Sequence, residues 1–168
     1  ELTDGRAASL HAVLLQGDLW TPDDRLRGTD VVTMLEVVEY LDPEEVYQRL
    51  PLVLFGDWRP GMLILSTPNR ESSNKTARSS LTNGSEDRAS KSGHNKYEWD
   101  QVQFAHWCLS AATVFHYSVE ILPVGSQDSP KSIMAIFKRY DLEEPLIDCP
   151  TGILYESVYQ VEYKAASG

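Results

Sequence analysis

The chain has 168 residues, of which 42% are hydrophobic, enough for one domain with a real core and too few for two. Its 25 acidic and 15 basic side chains give a formal net charge of −10. This charge argues against a broad basic surface for DNA or long RNA, although it allows capture of one strand end in a pocket. No apolar run approaches the roughly 18 residues of a membrane span, and Cys108 and Cys149 lack metal-site spacing. We therefore expect a single domain in a reduced, cytoplasmic setting, with no membrane partner.

The first predicted strand is His11 to Leu15, with the sequence HAVLL. It runs into a turn at Gln16-Gly17-Asp18, where Gly17 is expected to supply backbone freedom. Asp18 then follows the carboxyl end of a strand, and it either caps the turn or contacts a ligand.

The central predicted strand is Val31 to Leu35, reached through a polar loop or short helix at Thr21 to Thr29. Its apolar sequence, VVTML, predicts a buried strand, and the continuation EVVEYL can turn helical. Glu36 and Glu39 thus stand at a strand's carboxyl end, where open α/β sheets bind ligands. Chemistry is expected there first.

A helix and a third strand follow. Asp42-Pro43-Glu44-Glu45 is a helix start, because aspartate can cap free amides and proline suits the first turn. Pro51 interrupts that helical pattern, and MLILS after Gly61 predicts a strand that closes at Thr67-Pro68-Asn69. The apolar positions of the helical region are Val46, Leu50, Val53 and Leu54.

The second half begins with a polar stretch, residues 70–93, which is predicted to be a mobile insertion in the single domain. Asp100 is a predicted helix cap. Strands are expected at Val114 to Leu122 and Ser132 to Phe137, as an antiparallel pair, and at Ile153 to Lys164 as an edge strand. The expected inner face of the helix consists of Val102, Phe104, Trp107, Leu109 and Ala112.

The order of these elements predicts a doubly wound α/β sheet. Its ligand edge is expected near Asp18, Glu36 and Thr67 to Asn69. Periodicity alone does not identify the ligand.

Several spaced blocks, in one order, resemble a known family. LEVVEYL is followed by LFGDWRPGMLILSTPN, then by KYEWDQVQFAHW and YSVEILPVG. Together they resemble the Hen-type small-RNA 3′-terminal 2′-O-methyltransferases, which methylate piRNAs and microRNAs. The resemblance covers about Leu10 to Lys164 and implies a Rossmann-like class I methyltransferase sheet that uses S-adenosylmethionine.

The resemblance also implies a divalent metal, Mg²⁺ or Mn²⁺, that holds the terminal ribose. In the family its ligands are the glutamates and the histidine of an E-x-x-E-H sequence, with a second histidine before a K-F-E-W block. The acidic ligands correspond to Glu36 and Glu39. Tyr40 and Asn95 occupy the two histidine positions, and His94, one residue earlier, is the candidate third ligand.

On the cofactor side, the resemblance assigns Asp18 as the cofactor-contacting residue. The family's Gly-rich turn and its ribose-binding acid have no counterpart in the sequence, so we expect the N-terminal cofactor-binding strands to be missing from a diverged or truncated domain. The implied partners are the 3′ end of a small single-stranded RNA and an Argonaute- or Piwi-type protein.

Two alternatives stay open beside an RNA methyltransferase. Tyr40, Asn95 and the missing turn suit a catalytically impaired homologue that binds RNA or a protein. A methyltransferase for another substrate class would leave the glutamates with a structural role.

Overall fold

The strands of the computed structural model form two separate sheets, within the described residues 9–70, 99–126, 129–140 and 152–163. In the larger sheet, β2 (Val31–Leu35) and β3 (Met62–Pro68) are parallel. β5 (Ser129–Arg139) is antiparallel to β3 and to the edge strand β4 (Tyr117–Ser126), which gives the order β2-β3-β5-β4. The smaller sheet pairs β1 (Leu10–Gln16) with β6 (Glu156–Tyr163) in antiparallel orientation.

Two α-helices begin at the predicted aspartates. α1 (Pro43–Gln48) starts with a capping box between Asp42 and Glu45, and a π-helical segment, Leu52–Trp58, follows it. α2 (Gln101–Phe115) starts with a capping box between Asp100 and Gln103. Each cap satisfies amides that have no partner within the helix, which is why the sequence signal was reliable.

The core lies between the helices and one face of the larger sheet. The ring of Phe55, from the π-helical segment, meets that of Phe137 on β5 with centroids 4.9 Å apart. The Trp107 indole on α2 donates to the Val46 carbonyl at 3.1 Å and joins α2 to α1. Phe104 and Trp107 are core residues, as predicted, and so is Trp99. The centroid of the Trp99 ring lies 5.7 Å from that of Phe104 and 5.7 Å from that of Trp107.

Several expectations about burial and boundaries were wrong. Val31 and Leu35 are 51% and 49% exposed, because β2 is at an edge of the described sheet and packs on one face only. Val102 and Leu109 are exposed at 75% and 56%, since the helical period directs Phe104, Trp107, Cys108, Ala111 and Ala112 inward instead.

Two boundaries also differ from the prediction. α2 continues through Val114 to Phe115 and ends where His116 takes a left-handed conformation, with φ 61°. β6 falls inside the expected tail strand, but with β1 it forms its own sheet. Among the described residues, no helix is long and apolar enough to span a membrane. Nearly all of the predicted insertion, 70–93, lies outside the described residues.

Candidate functional site

The two glutamates stand at the carboxyl edge of the parallel strands, as predicted. β2 ends at Leu35, which lies opposite Ser66 in the register with β3. Glu36 follows at once, and Glu39 lies in a one-turn 3₁₀ helix, Val38–Tyr40. The 3₁₀ turn is stabilised by the Tyr40 amide, which donates to the Val37 carbonyl at 3.1 Å.

Glu36 is exposed and is hydrogen bonded to β3. Its amide donates to the Ser66 carbonyl at 3.1 Å and to the Ser66 hydroxyl oxygen at 3.2 Å. The same hydroxyl donates to Glu36 Oε1 at 2.9 Å. One carboxylate oxygen of Glu36 therefore has a fixed partner within the sheet.

Glu39 is buried, with 2% of its surface exposed. Its Oε2 atom has no hydrogen-bond partner in the part of the chain that the structure describes. Burial raises the pKa of the Glu39 carboxyl, and the nearby Glu36 carboxylate raises it further. The two carboxyl groups are thus close enough to interact electrostatically, and one buried oxygen has no hydrogen-bond partner among the described residues.

The end of β3 is polar and buried. Thr67 is fully buried, and its Oγ1 has no hydrogen-bond partner among the described residues. Asn69 donates from its side chain to the Pro130 carbonyl at 3.1 Å and from its amide to the Lys131 carbonyl at 2.8 Å. Asn69 therefore secures the end of β3 to β5.

Asp18 lies in the turn after β1, and its carboxylate caps that turn. Its Oδ1 accepts from the Trp20 amide at 3.2 Å, while its carbonyl accepts from the Thr21 amide at 2.9 Å and the Tyr155 hydroxyl at 2.6 Å. In the described part of the chain, β1 is not hydrogen bonded to the sheet that carries Glu36. The prediction of one shared sheet edge for Asp18 and Glu36 is therefore not met in these residues.

Sequence reasoning missed Asp23, which is 2% exposed. Its Oδ2 accepts from the amides of Leu154 and Tyr155 at 2.8 and 2.7 Å and from Arg25 Nη2 at 2.9 Å. The Arg25 side chain, followed by those amides, holds the pKa of Asp23 well below its usual range, despite the opposing effect of burial. The only signal in the sequence was the position of Asp23 two residues before Arg25, and such acid–arginine spacings are common on protein surfaces.

The remaining predicted ligands are not assembled by the described residues. His94 and Asn95 lie outside them, and Tyr40 is 50% exposed beside Glu39. Within the described ranges, no group of three or more His, Cys, Asp or Glu side chains could hold a metal ion. The structure thus brings together two acidic residues of the implied site, Glu36 and Glu39.

The chain is similar to proteins named small RNA 2′-O-methyltransferase. It is 32% identical to the one from Gallus gallus over 164 residues, which cover 92% of this chain and 41% of that protein. It is 30% identical to the one from Drosophila melanogaster, over 94% of this chain and 44% of that protein. The chain therefore spans about two fifths of the length of these relatives. No family model matches the chain.

A solved structure gives the same result for the fold. The crystal structure of the small RNA methyltransferase HEN1 matches with a TM-score of 0.70 and 28% identity, over 92% of this chain and 19% of that one. This match confirms the predicted α/β class, a Rossmann-like methyltransferase sheet. Over nearly its whole length the chain is therefore similar, in sequence and in fold, to the Hen-type small RNA 2′-O-methyltransferases.

Proposed function

We propose that this protein transfers a methyl group from S-adenosylmethionine to the 2′-hydroxyl of the 3′-terminal ribose of small RNAs, with the help of Mg²⁺ or Mn²⁺. The observation that carries the proposal is the pair Glu36 and Glu39 at the carboxyl end of β2, one hydrogen bonded to β3 and the other buried. The names of the relatives support the reaction and the substrate class.

The chemistry of the donor set fits a divalent cation. Carboxylate oxygens are the ligands that Mg²⁺ and Mn²⁺ prefer, and Glu39 Oε2 is a buried oxygen without a hydrogen-bond partner in the described residues. His94 is the proposed third ligand. When bound, the cation would lower the pKa of a ribose hydroxyl and make it a better nucleophile.

The chain's own residues have separate proposed tasks. Glu36 and Glu39 bind and orient the cation, and their two negative charges favour its binding. Asp18 is the proposed cofactor contact, because its exposed carboxylate could accept from an adenine amino group while it caps the turn after β1.

One observation favours a second candidate, a catalytically impaired homologue that binds RNA or a protein. Tyr40 stands where the family has a histidine ligand, and it is half exposed beside Glu39. A tyrosine hydroxyl has an ordinary pKa of about 10 and is a poor metal ligand at neutral pH. This substitution removes one ligand from the implied set.

The proposed substrate is the 3′ end of a small single-stranded RNA in the cytoplasm, presented by an Argonaute- or Piwi-type protein. The net charge of −10 supports recognition of a strand end over recognition of a long backbone. A carrier protein would hold the rest of the RNA and leave its terminal ribose accessible.

The test is methyl transfer from tritiated S-adenosylmethionine to a short single-stranded RNA in the presence of Mn²⁺. We expect incorporation by the wild type, loss with RNA whose terminal ribose has been oxidised by periodate, and loss in Glu36→Gln. Glu120→Gln, an exposed glutamate on β4, is the matched control and should retain activity.

Equal labelling of intact and oxidised RNA would show that the terminal ribose is not the acceptor. RNA binding without any Mn²⁺-dependent transfer would favour the impaired homologue.

A further inference from the structure

Ser66 is the side chain through which the larger sheet holds Glu36. It lies on β3, directly opposite the last residue of β2, and is 5% exposed. Its hydroxyl donates to Glu36 Oε1 at 2.9 Å and accepts from the Glu36 amide at 3.2 Å, while its carbonyl accepts from the same amide at 3.1 Å. One residue therefore fixes both the backbone and the side chain of Glu36.

The backbone of Glu36 needs such support. Its φ of 54° is in the left-handed region, which costs a residue other than glycine on the order of 1 kcal/mol. A glycine at position 36 would remove this strain, and its amide would still donate a hydrogen bond to the Ser66 carbonyl. A glutamate at this position therefore indicates that the carboxylate itself is required.

The hydrogen bonds also fix the direction of that carboxylate. Oε1 is occupied by the Ser66 hydroxyl, and no hydrogen bond reaches Oε2 from the described residues. A hydrogen bond to a carboxylate oxygen is stronger than one between neutral groups, so it restricts the rotation of an otherwise exposed side chain. Glu36 Oε2 is left without such a partner in those residues, as is Oε2 of the neighbouring Glu39.

We propose that Ser66 is a positioning residue that holds the Glu36 carboxylate in its metal-binding orientation. The inference rests on the proposed function, because it requires that Glu36 bind a cation. Residues that orient metal ligands in this way typically change metal affinity about 10- to 100-fold when they are removed.

The test is calorimetric titration of the protein with Mn²⁺ alone, without RNA. The decisive pair is Ser66→Thr and Ser66→Val, since threonine and valine have the same shape and differ in the hydroxyl. We expect Ser66→Thr to keep the dissociation constant within about threefold of the wild type and Ser66→Val to raise it about tenfold or more. Ser66→Ala should behave like Ser66→Val.

The matched control is Ser118→Ala on β4. Like that of Ser66, the Ser118 hydroxyl donates a hydrogen bond within the larger sheet, but its acceptor is the Lys138 carbonyl, at 3.2 Å, and not either glutamate. This variant should bind Mn²⁺ as the wild type does. Thermal midpoints of all variants without metal distinguish loss of positioning from loss of folding.

The outcomes separate the two proposals. Tight Mn²⁺ binding by the wild type and equally tight binding by Ser66→Val would overturn the role of Ser66 and leave the proposed function in place. A wild type that binds no Mn²⁺ would overturn both. Equal losses of binding in the threonine and valine variants would show that shape, not the hydroxyl, matters at this position, which also overturns the role of Ser66.

Discussion

Burial of the Glu39 carboxyl group is energetically unfavourable for this fold. Moving a charged or unpaired polar group out of water is unfavourable unless it gains hydrogen bonds or a counter-charge. Glu39 is 2% exposed, and its Oε2 finds no partner in the described residues. The proposed role in binding a cation would explain why an acid stands at this position, because a neutral side chain would be more stable there.

Glu39→Gln should therefore separate stability from binding. Without metal we expect a stability gain of about 1 kcal/mol, since the buried charge is removed. The stabilisation of the wild type by Mn²⁺, measured as a rise in the thermal midpoint, should disappear in the variant. Glu120→Gln should change neither quantity. A variant that is less stable than the wild type and is still stabilised by Mn²⁺ would argue for a structural Glu39.

Gly17 is required for a different reason than the one the sequence suggested. Its φ is not positive, in contrast to those of Gly28, Gly125 and Gly152. Instead, a Cβ at Gly17 would collide with the ring of Tyr155. That ring carries the hydroxyl that donates to the Asp18 carbonyl. The turn therefore requires a residue without a side chain at this position, not one with extra backbone freedom.

Gly17→Ala should displace the Tyr155 ring and destabilise the protein by about 1–3 kcal/mol, because rigid ring atoms must move. Gly56→Ala is the matched control: its Cβ would lie 3.8 Å from Phe115, an ordinary contact, within the π-helical segment. We expect that variant to be neutral or about 0.5–1 kcal/mol more stable. Chemical denaturation measures the stability of both variants. A Gly17→Ala variant that is as stable as the wild type would contradict the close approach of the Tyr155 ring to Gly17.

At the level of elements, a hydrogen-bond network around Asp23 joins the segment before β6 to the loop after β1. Asp24 adds to it, since its side chain accepts from the Gly152 amide at 2.7 Å and its own amide donates to the Gly152 carbonyl at 3.1 Å. A two-stranded sheet is marginally stable by itself. The network therefore supplies contacts that help to keep β1 and β6 paired.

Asp23→Asn should lower stability at neutral pH by about 2–4 kcal/mol, because it removes the charge that accepts from Arg25 and two amides. The pKa of Asp23 is depressed in the folded state, so its contribution is fully present above the unfolded pKa of about 4 and is lost as the pH falls. Denaturation at a series of pH values should thus show the wild type approaching the variant in acid.

Asp30→Asn is the control for this series. Asp30 is exposed, and its side chain makes no hydrogen bond with the described residues. Its replacement should leave the stability at neutral pH nearly unchanged. A constant difference between wild type and Asp23→Asn across the acid range would contradict the role of the Asp23 charge.

The sequence predicted best the features that depend on neighbouring residues. The caps at Asp42 and Asp100 and the strands β2 and β3 follow from local hydrogen bonding and side-chain period. Features that depend on distant contacts were missed. The pairing of β1 with β6 and the Asp23 network join opposite ends of the chain, and no local pattern encodes them. The left-handed Glu36 was missed because that conformation is rare outside glycine, asparagine and aspartate.

At the level of the whole molecule, the charge distribution limits how RNA could bind. Several arginines are engaged within the fold: Arg25 pairs with Asp23, Arg139 donates to the Arg59 carbonyl, and Arg49 lies 4.6 Å from the centre of the Trp20 ring. The net charge of −10 disfavours an extended site for the phosphates of a long strand. Recognition of a strand end would need only a small number of phosphate contacts, which this charge permits.

RNA affinity should accordingly depend on the 3′ end and hardly on length. Single strands that share a 3′ end but differ in length should bind in the presence of Mn²⁺ with affinities within about threefold of each other. A plot of the logarithm of affinity against the logarithm of salt concentration should have a slope of about −2 or shallower, which is the value for two to three phosphate contacts. Strands with a methylated terminal 2′-hydroxyl or an oxidised terminal ribose serve as controls and should bind more weakly at every length. Affinity that rises steadily with length, with a steep salt dependence and no effect of the terminal ribose, would instead indicate an extended backbone site, which the net charge of −10 disfavours.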